Sequence, residues 1–64
     1  MTIILFDKLA NREEFEYNGS DMERVTVNKT INGVEYEITY EYQFLDKKMR
    51  KVFVESKRKA KNEQ

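Results

Sequence analysis

The chain has 64 residues, 12 basic and 12 acidic side chains, and a formal net charge of zero. It holds neither cysteine nor histidine, which excludes disulfides, thiol chemistry, the commonest zinc ligands and nucleophiles activated by histidine. This length allows one small domain with a thin core, and the residues present predict no enzymatic activity, no metal and no cofactor.

The first predicted element is a strand over residues 2–6. Its apolar run Ile3–Phe6 is the longest in the chain and falls far short of the roughly 20 residues of a membrane helix. No basic segment precedes the run and no cleavage site follows it, so we expect no signal peptide and a cytoplasmic protein without membrane contact. Residues 7–16 are compatible with a short helix but show no continuous apolar stripe, whereas residues 13–17 alternate weakly, as in a strand.

The next segment begins with Asn18-Gly19, a turn dipeptide. A two-residue turn there would form a second hairpin and set Glu16 opposite Asp21, which is unfavourable. We therefore expect a longer, irregular loop over residues 18–21.

The clearest element covers residues 34–44, where apolar and polar side chains alternate strictly. Such alternation predicts a strand with one buried and one solvated face. Asn32-Gly33 precedes it, and this dipeptide favours a two-residue hairpin turn. The turn sets Val27 opposite Ile38 and Arg24 opposite Glu41, so turn chemistry and alternation predict the same register. It also places Lys29 on the apolar side, opposite Tyr36.

A polar turn over residues 45–49 is followed by a third predicted strand, residues 50–56. A three-residue loop would place Val52 and Val54 with the tyrosines and Lys57 opposite Glu37. A two-residue or four-residue loop would place Phe53 there instead. The first register is preferred because it pairs opposite charges.

The end of the chain is polar throughout, which is typical of a frayed tail or a marginal helix. The predicted organisation is one β-rich domain, residues 1–56, and a basic C-terminal tail, residues 57–64. Charge is also unevenly distributed along the chain. Residues 1–45 carry a net charge of −5, and residues 46–64 carry a net charge of +5. Such asymmetry indicates either internal pairing of charges or two surfaces of opposite sign.

Two sets of side chains on the 34–44 strand are candidates for binding a protein partner. The acidic set could mimic a phosphate backbone, and the tyrosines suit an interface because their rings are apolar and their hydroxyls need a partner. The six residues are Glu35, Glu37, Glu41, Tyr36, Tyr40 and Tyr42. The apolar face also exceeds what so short a chain covers, which predicts self-association or a protein partner.

The basic end of the chain supports an alternative function, the binding of nucleic acid. Lysine and arginine side chains there could hold phosphates while Phe53 stacks on a base. The candidate residues are Lys47, Lys48, Arg50, Lys51, Lys57, Arg58, Lys59 and Lys61. A domain with no net charge is unusual among nucleic-acid-binding proteins, so we rank this alternative second.

The sequence therefore predicts a mainly β fold: an antiparallel meander of three to five strands, as a small barrel or sheet, with an α+β form containing one short helix as the alternative. The predicted function is a non-catalytic protein-interaction module. By analogy of size, composition and charge with small proteins of phages and mobile elements, we expect an inhibitor or accessory protein that acts through a charged or aromatic face of the sheet.

Overall fold

In the computed structural model, which describes residues 1–19 and 23–61, the chain forms five strands and no helix within those ranges. The sheet order is β2-β1-β5-β4-β3, and the sheet curls into a half-barrel. All neighbouring strands are antiparallel except β1 and β5, which are parallel. The predicted mainly β class is confirmed. The strands are β1 (Thr2–Phe6), β2 (Arg12–Glu16), β3 (Arg24–Ile31), β4 (Val34–Leu45) and β5 (Lys51–Ala60).

The β3–β4 hairpin has the predicted register. Val27 pairs with Ile38, and Arg24 pairs with Glu41. Asn32 and Gly33 both have positive φ, 52° and 80°, as the expected turn requires. The sequence placed this hairpin correctly because a local turn signal and a long alternating strand agree.

The preferred register between β4 and β5 is wrong. Phe53, and not Val52 or Val54, lies opposite Tyr42 on the inner face of the half-barrel. Two irregularities cause the difference, because Gln43 of β4 and Ser56 of β5 each have no partner across the ladder. Each extra residue reverses the faces that later side chains occupy. Lys57 was predicted to lie opposite Glu37, but it lies opposite Thr39. Lys59 is the residue that lies opposite Glu37.

The third strand is also longer than predicted. Residues 57–60, expected to begin a frayed tail, continue β5 and pair with β4 as far as Ala60 opposite Tyr36. The strand persists because residues 58 and 60 face the inner side, and Arg58 there bonds to Glu55.

The first third of the chain forms a hairpin of β1 and β2, without the helix considered for residues 7–16. Ile3 pairs with Phe15, and Leu5 pairs with Glu13. No second hairpin joins β2 to β3, since these strands occupy opposite edges of the sheet. The loop expected over residues 18–21 falls partly outside the described residues.

The core fills the inner, concave face. It comprises apolar side chains of β1, β3, β4 and β5, all nearly inaccessible to solvent: Ile3, Leu5, Val25, Val27, Ile38, Tyr40 and Phe53. Phe15, Tyr17, Ile31, Tyr36 and Tyr42 pack around this cluster and are partly exposed. On the outer face, Ile4 of β1 and Val52 of β5 pair side by side and are also buried.

Two turns of the same design connect β1 to β2 and β4 to β5. In the first, Asp7 Oδ1 accepts backbone N–H bonds from Leu9 and Asn11, both 2.9 Å. In the second, Asp46 Oδ1 accepts them from Lys48 and Arg50, at 2.9 and 2.8 Å. The shared pattern is an aspartate whose side chain satisfies the N–H groups of the turn that follows.

Each turn holds a non-glycine residue at positive φ, Ala10 and Met49, both at 64°. Left-handed backbone costs such residues about 1–2 kcal/mol each. We expect Ala10→Gly to raise the free energy of unfolding by about 0.5–1 kcal/mol, measured by urea denaturation. The control Ala60→Gly lies within β5 and should lower it by about 0.5–1 kcal/mol. Equal effects of the two changes would contradict this conformation at Ala10.

The two aspartates also predict a pH dependence. The backbone N–H bond from Asn11 lowers the pKa of Asp7 below its ordinary value of 3.8, and the bond from Arg50 does the same to the pKa of Asp46. Their stabilising contribution is therefore complete above pH 3.8 and is lost as the pH falls through the lowered pKa values. In urea titrations from pH 5 to about 2, the double variant D7N/D46N should lose less stability than the native chain. An identical loss in both proteins would contradict this role.

Candidate functional site

The six residues predicted for partner binding lie on opposite faces of β4. Glu35, Glu37 and Glu41 project from the outer face, and Tyr40 projects into the core. One partner surface cannot contact both sets directly, because successive side chains of a strand alternate between faces. The acidic and aromatic sets are therefore two separate candidate surfaces.

Basic side chains lie beside the acidic set. Arg24 of β3 lies opposite Glu41, with Nε 3.8 Å from Oε2, and Lys59 of β5 lies opposite Glu37. Arg24, Glu37, Glu41 and Lys57 line one shallow depression on this face. The surface thus alternates positive and negative columns, which reduces its negative potential.

The three tyrosines differ in exposure. Tyr40 is 1 % exposed, and burial raises the pKa of its hydroxyl. Tyr36 and Tyr42 are partly exposed, and a cation lies over each ring. The Tyr42 ring meets Phe53 edge-on, with centroids 5.8 Å apart. Tyr40 is thus part of the core, and only the other two rings reach solvent.

The eight basic residues of the alternative do not form one patch. Lys47, Lys48, Arg50 and Lys51 lie at the β4–β5 turn, and residues 57–61 lie at the other end of β5. About 20 Å separate Lys51 from Lys57 along the strand. Arg58 is directed to the inner face and bonds to Glu55 through two of its nitrogens.

Glu55 is a buried carboxylate whose role the sequence did not indicate. Its side chain is fully inaccessible and accepts hydrogen bonds from Arg58 at 2.9 and 3.0 Å and from the backbone N–H of Lys8 at 3.2 Å. The hydrogen bond to Glu55 raises the pKa of the Arg58 guanidinium. This paired and satisfied geometry joins β5 to the β1–β2 turn and is structural.

A second ion pair spans the opening of the half-barrel. Lys29 of β3 bonds to Glu13 of β2, although the two strands do not pair. Partial burial lowers the pKa of Lys29, but the bond to Glu13 and nearby negative charge outweigh it, so the pKa lies above its ordinary value. The sequence placed Lys29 on the apolar face and missed this partner, since β2 was not assigned to the sheet.

A further surface lies at the β4–β5 turn, which the sequence analysis described only as polar. We define the hairpin tip as Phe44, Leu45, Lys47, Lys48 and Met49. Phe44 is 53 % exposed, Leu45 43 % and Met49 73 %. Phe44 was predicted to face the core with the tyrosines, and this is wrong, because the unpaired Gln43 shifts it to the outer face opposite Val52. No local signal in the sequence marks this shift.

Hydrogen bonds hold the turn of the hairpin tip. Within residues 1–19 and 23–61, the pairing of β3 with β4 ends at Arg24 opposite Glu41, and Phe44 and Leu45 pair with β5 alone. Asp46 Oδ2 also accepts a bond from Arg50 Nε at 2.9 Å, and Arg50 reaches Glu14 at 3.4 Å. These bonds fix the turn against β2.

Within residues 1–19 and 23–61, no group of three acidic side chains is arranged to hold a metal ion, and no helix is long and apolar enough to cross a membrane. Comparison with protein-family models, with curated proteins and with solved structures finds no match for this chain.

Proposed function

We propose that the protein is a non-catalytic protein-interaction module and that the hairpin tip is its contact surface. The observation that supports this is the exposure of Phe44, Leu45 and Met49 around one rigid turn. Among residues 1–19 and 23–61, only Met1 and Leu9 are other large apolar residues with comparable exposure. Clustered exposed apolar groups mark interaction sites more often than scattered ones do.

The rigidity of the turn supports the same function. Asp46 accepts three hydrogen bonds from Lys48 and Arg50, so the backbone of the tip is ordered before a partner arrives. Binding then costs less conformational entropy than it would for a flexible loop.

Affinity capture with matched variants tests the proposal. The tagged protein is incubated with lysate of the cells that carry its gene, with and without nuclease, and captured proteins are identified by mass spectrometry. F44S/M49S removes two apolar side chains of the tip. The control L9S removes an even more exposed apolar side chain, 83 % accessible, from the matching Asp7 turn.

We expect one or more proteins to be captured by the native chain and by L9S, with or without nuclease, and lost with F44S/M49S. Urea denaturation should show F44S/M49S folded, since neither side chain belongs to the core. If F44S/M49S captures the same proteins as the native chain, the contact surface is not the hairpin tip. Capture that nuclease abolishes favours the nucleic-acid alternative.

A further inference from the structure

The charges inside the hairpin tip are not balanced. Asp46 Oδ1 accepts bonds from the backbone N–H groups of Lys48 and Arg50, and Asp46 Oδ2 accepts one from the guanidinium of Arg50, which also lies 3.4 Å from Glu14. Asp46 and Arg50 therefore neutralise each other within the turn. The local hydrogen bonds also lower the pKa of Asp46, which keeps this carboxylate ionised and paired.

The lysines of the tip have no such partners. Lys47 and Lys48 are exposed and form no ion pair with any residue in the ranges 1–19 and 23–61. Lys51, at the base of the tip, lies over the Tyr42 ring with its amine 4.7 Å from the centroid. The tip thus combines an excess of positive charge with three exposed apolar side chains.

The order of these groups along the hairpin restricts the partner. Lys47 and Lys48 lie at the end of the turn, whereas Phe44 and Leu45 lie behind them, on opposite faces of β4. End-on insertion into a membrane would drive the two ammonium groups deepest, which is unfavourable. A nucleic-acid backbone matches the two lysines but leaves the exposed side chains of Leu45 and Met49 without an apolar partner.

We propose that the hairpin tip binds an acidic segment of a partner protein that carries apolar side chains between its carboxylates. Such a segment places carboxylates against Lys47 and Lys48 and apolar groups against Met49 and Phe44, whose side chains are 73 % and 53 % exposed. Opposite charges increase the rate of encounter, and apolar contact slows dissociation. This inference rests on the proposed function and specifies the chemistry of the partner.

The test uses a labelled twelve-residue peptide of alternating glutamate and leucine as the probe, with fluorescence anisotropy as the readout. K47E/K48E reverses the two charges of the tip. K8E/K61E reverses two exposed charges away from the tip and changes the net charge equally. A peptide of alternating glutamate and serine, a single-stranded oligonucleotide and vesicles of anionic lipid are measured in parallel.

We expect the Glu-Leu peptide to bind the native chain and K8E/K61E alike, and to bind K47E/K48E at least about tenfold more weakly. Affinity should fall as salt rises, and the Glu-Ser peptide should bind more weakly than the Glu-Leu peptide. Absence of peptide binding, equal loss in both variants, or tighter binding of the oligonucleotide or the vesicles overturns the inference. If a captured partner requires Phe44 and Met49 but tolerates K47E/K48E, the proposed function stands and this inference fails.

Discussion

Replacing Phe53 with alanine is expected to lower the urea midpoint of unfolding sharply. Phe53 is completely buried, lies opposite Tyr42 and joins core side chains from four strands. Removing a buried phenylalanine side chain costs about 3–5 kcal/mol. The total stability of a 64-residue domain is roughly 3–9 kcal/mol, so this one change removes a large part of it.

Phe44 provides the matched control, because it is the same residue type in the same hairpin. Its side chain is 53 % exposed on the outer face, so Phe44→Ala should cost less than about 1 kcal/mol. Circular dichroism and urea denaturation of both variants measure the difference. Comparable losses at the two positions would mean that Gln43 does not redirect Phe44 out of the core.

Replacing Arg58 with methionine is the second change expected to have a large effect. The carboxylate of Glu55 is fully inaccessible, and Arg58 provides two of its hydrogen bonds. Loss of Arg58 leaves a buried charge without its counter-ion, which should lower the free energy of unfolding by about 3 kcal/mol. This value is the low end of the usual range, because the Arg58 side chain is one-third exposed.

A double variant separates the charge from the packing. In E55M/R58M no buried charge remains, and paired replacement by apolar side chains is often neutral. We therefore expect the double variant to recover most of the stability lost in R58M, as measured by the urea midpoint. A double variant less stable than R58M would show that the unpaired carboxylate of Glu55 is not the cause of the loss in R58M.

The parts of the fold that the sequence predicted depend on neighbours along the chain. Asn32-Gly33 and the alternation of residues 34–44 act over a few residues, and the β3–β4 register follows from them. The β4–β5 register was missed because Gln43 and Ser56 carry no turn chemistry. The shifts place Phe53 and Glu55 on the inner face, opposite Tyr42 and Tyr40.

Long-range contacts were missed for a related reason. The parallel pairing of Ile4 with Val52 joins segments 48 residues apart, and a single sequence gives no signal for it. The two aspartate turns did have a signal: Asp7-Lys8 and Asp46-Lys47 each begin a five-residue segment between strands, and aspartate favours the start of a turn. That repeat could have placed β2 correctly.

The candidate surface was predicted only in part. The sequence identified the lysines of the tip as a basic segment, but it assigned Phe44 to the core and described the turn as polar. The combination of Phe44 with Lys47 and Lys48 exists only because the ladder shifts at Gln43. Such shifts depend on packing across strands, which composition and periodicity do not encode.

Solvent accessibility measured by NMR tests the central claim most directly, because that claim is the exposure of the hairpin tip beside a closed core. A soluble paramagnetic probe broadens the signals of exposed side chains. We predict strong broadening at Phe44 and Met49 and little at Tyr40 and Phe53, together with cross-strand contacts from Phe44 to Val52. Protection of Phe44 equal to that of Phe53, with contacts from Phe44 into the core, would contradict the account.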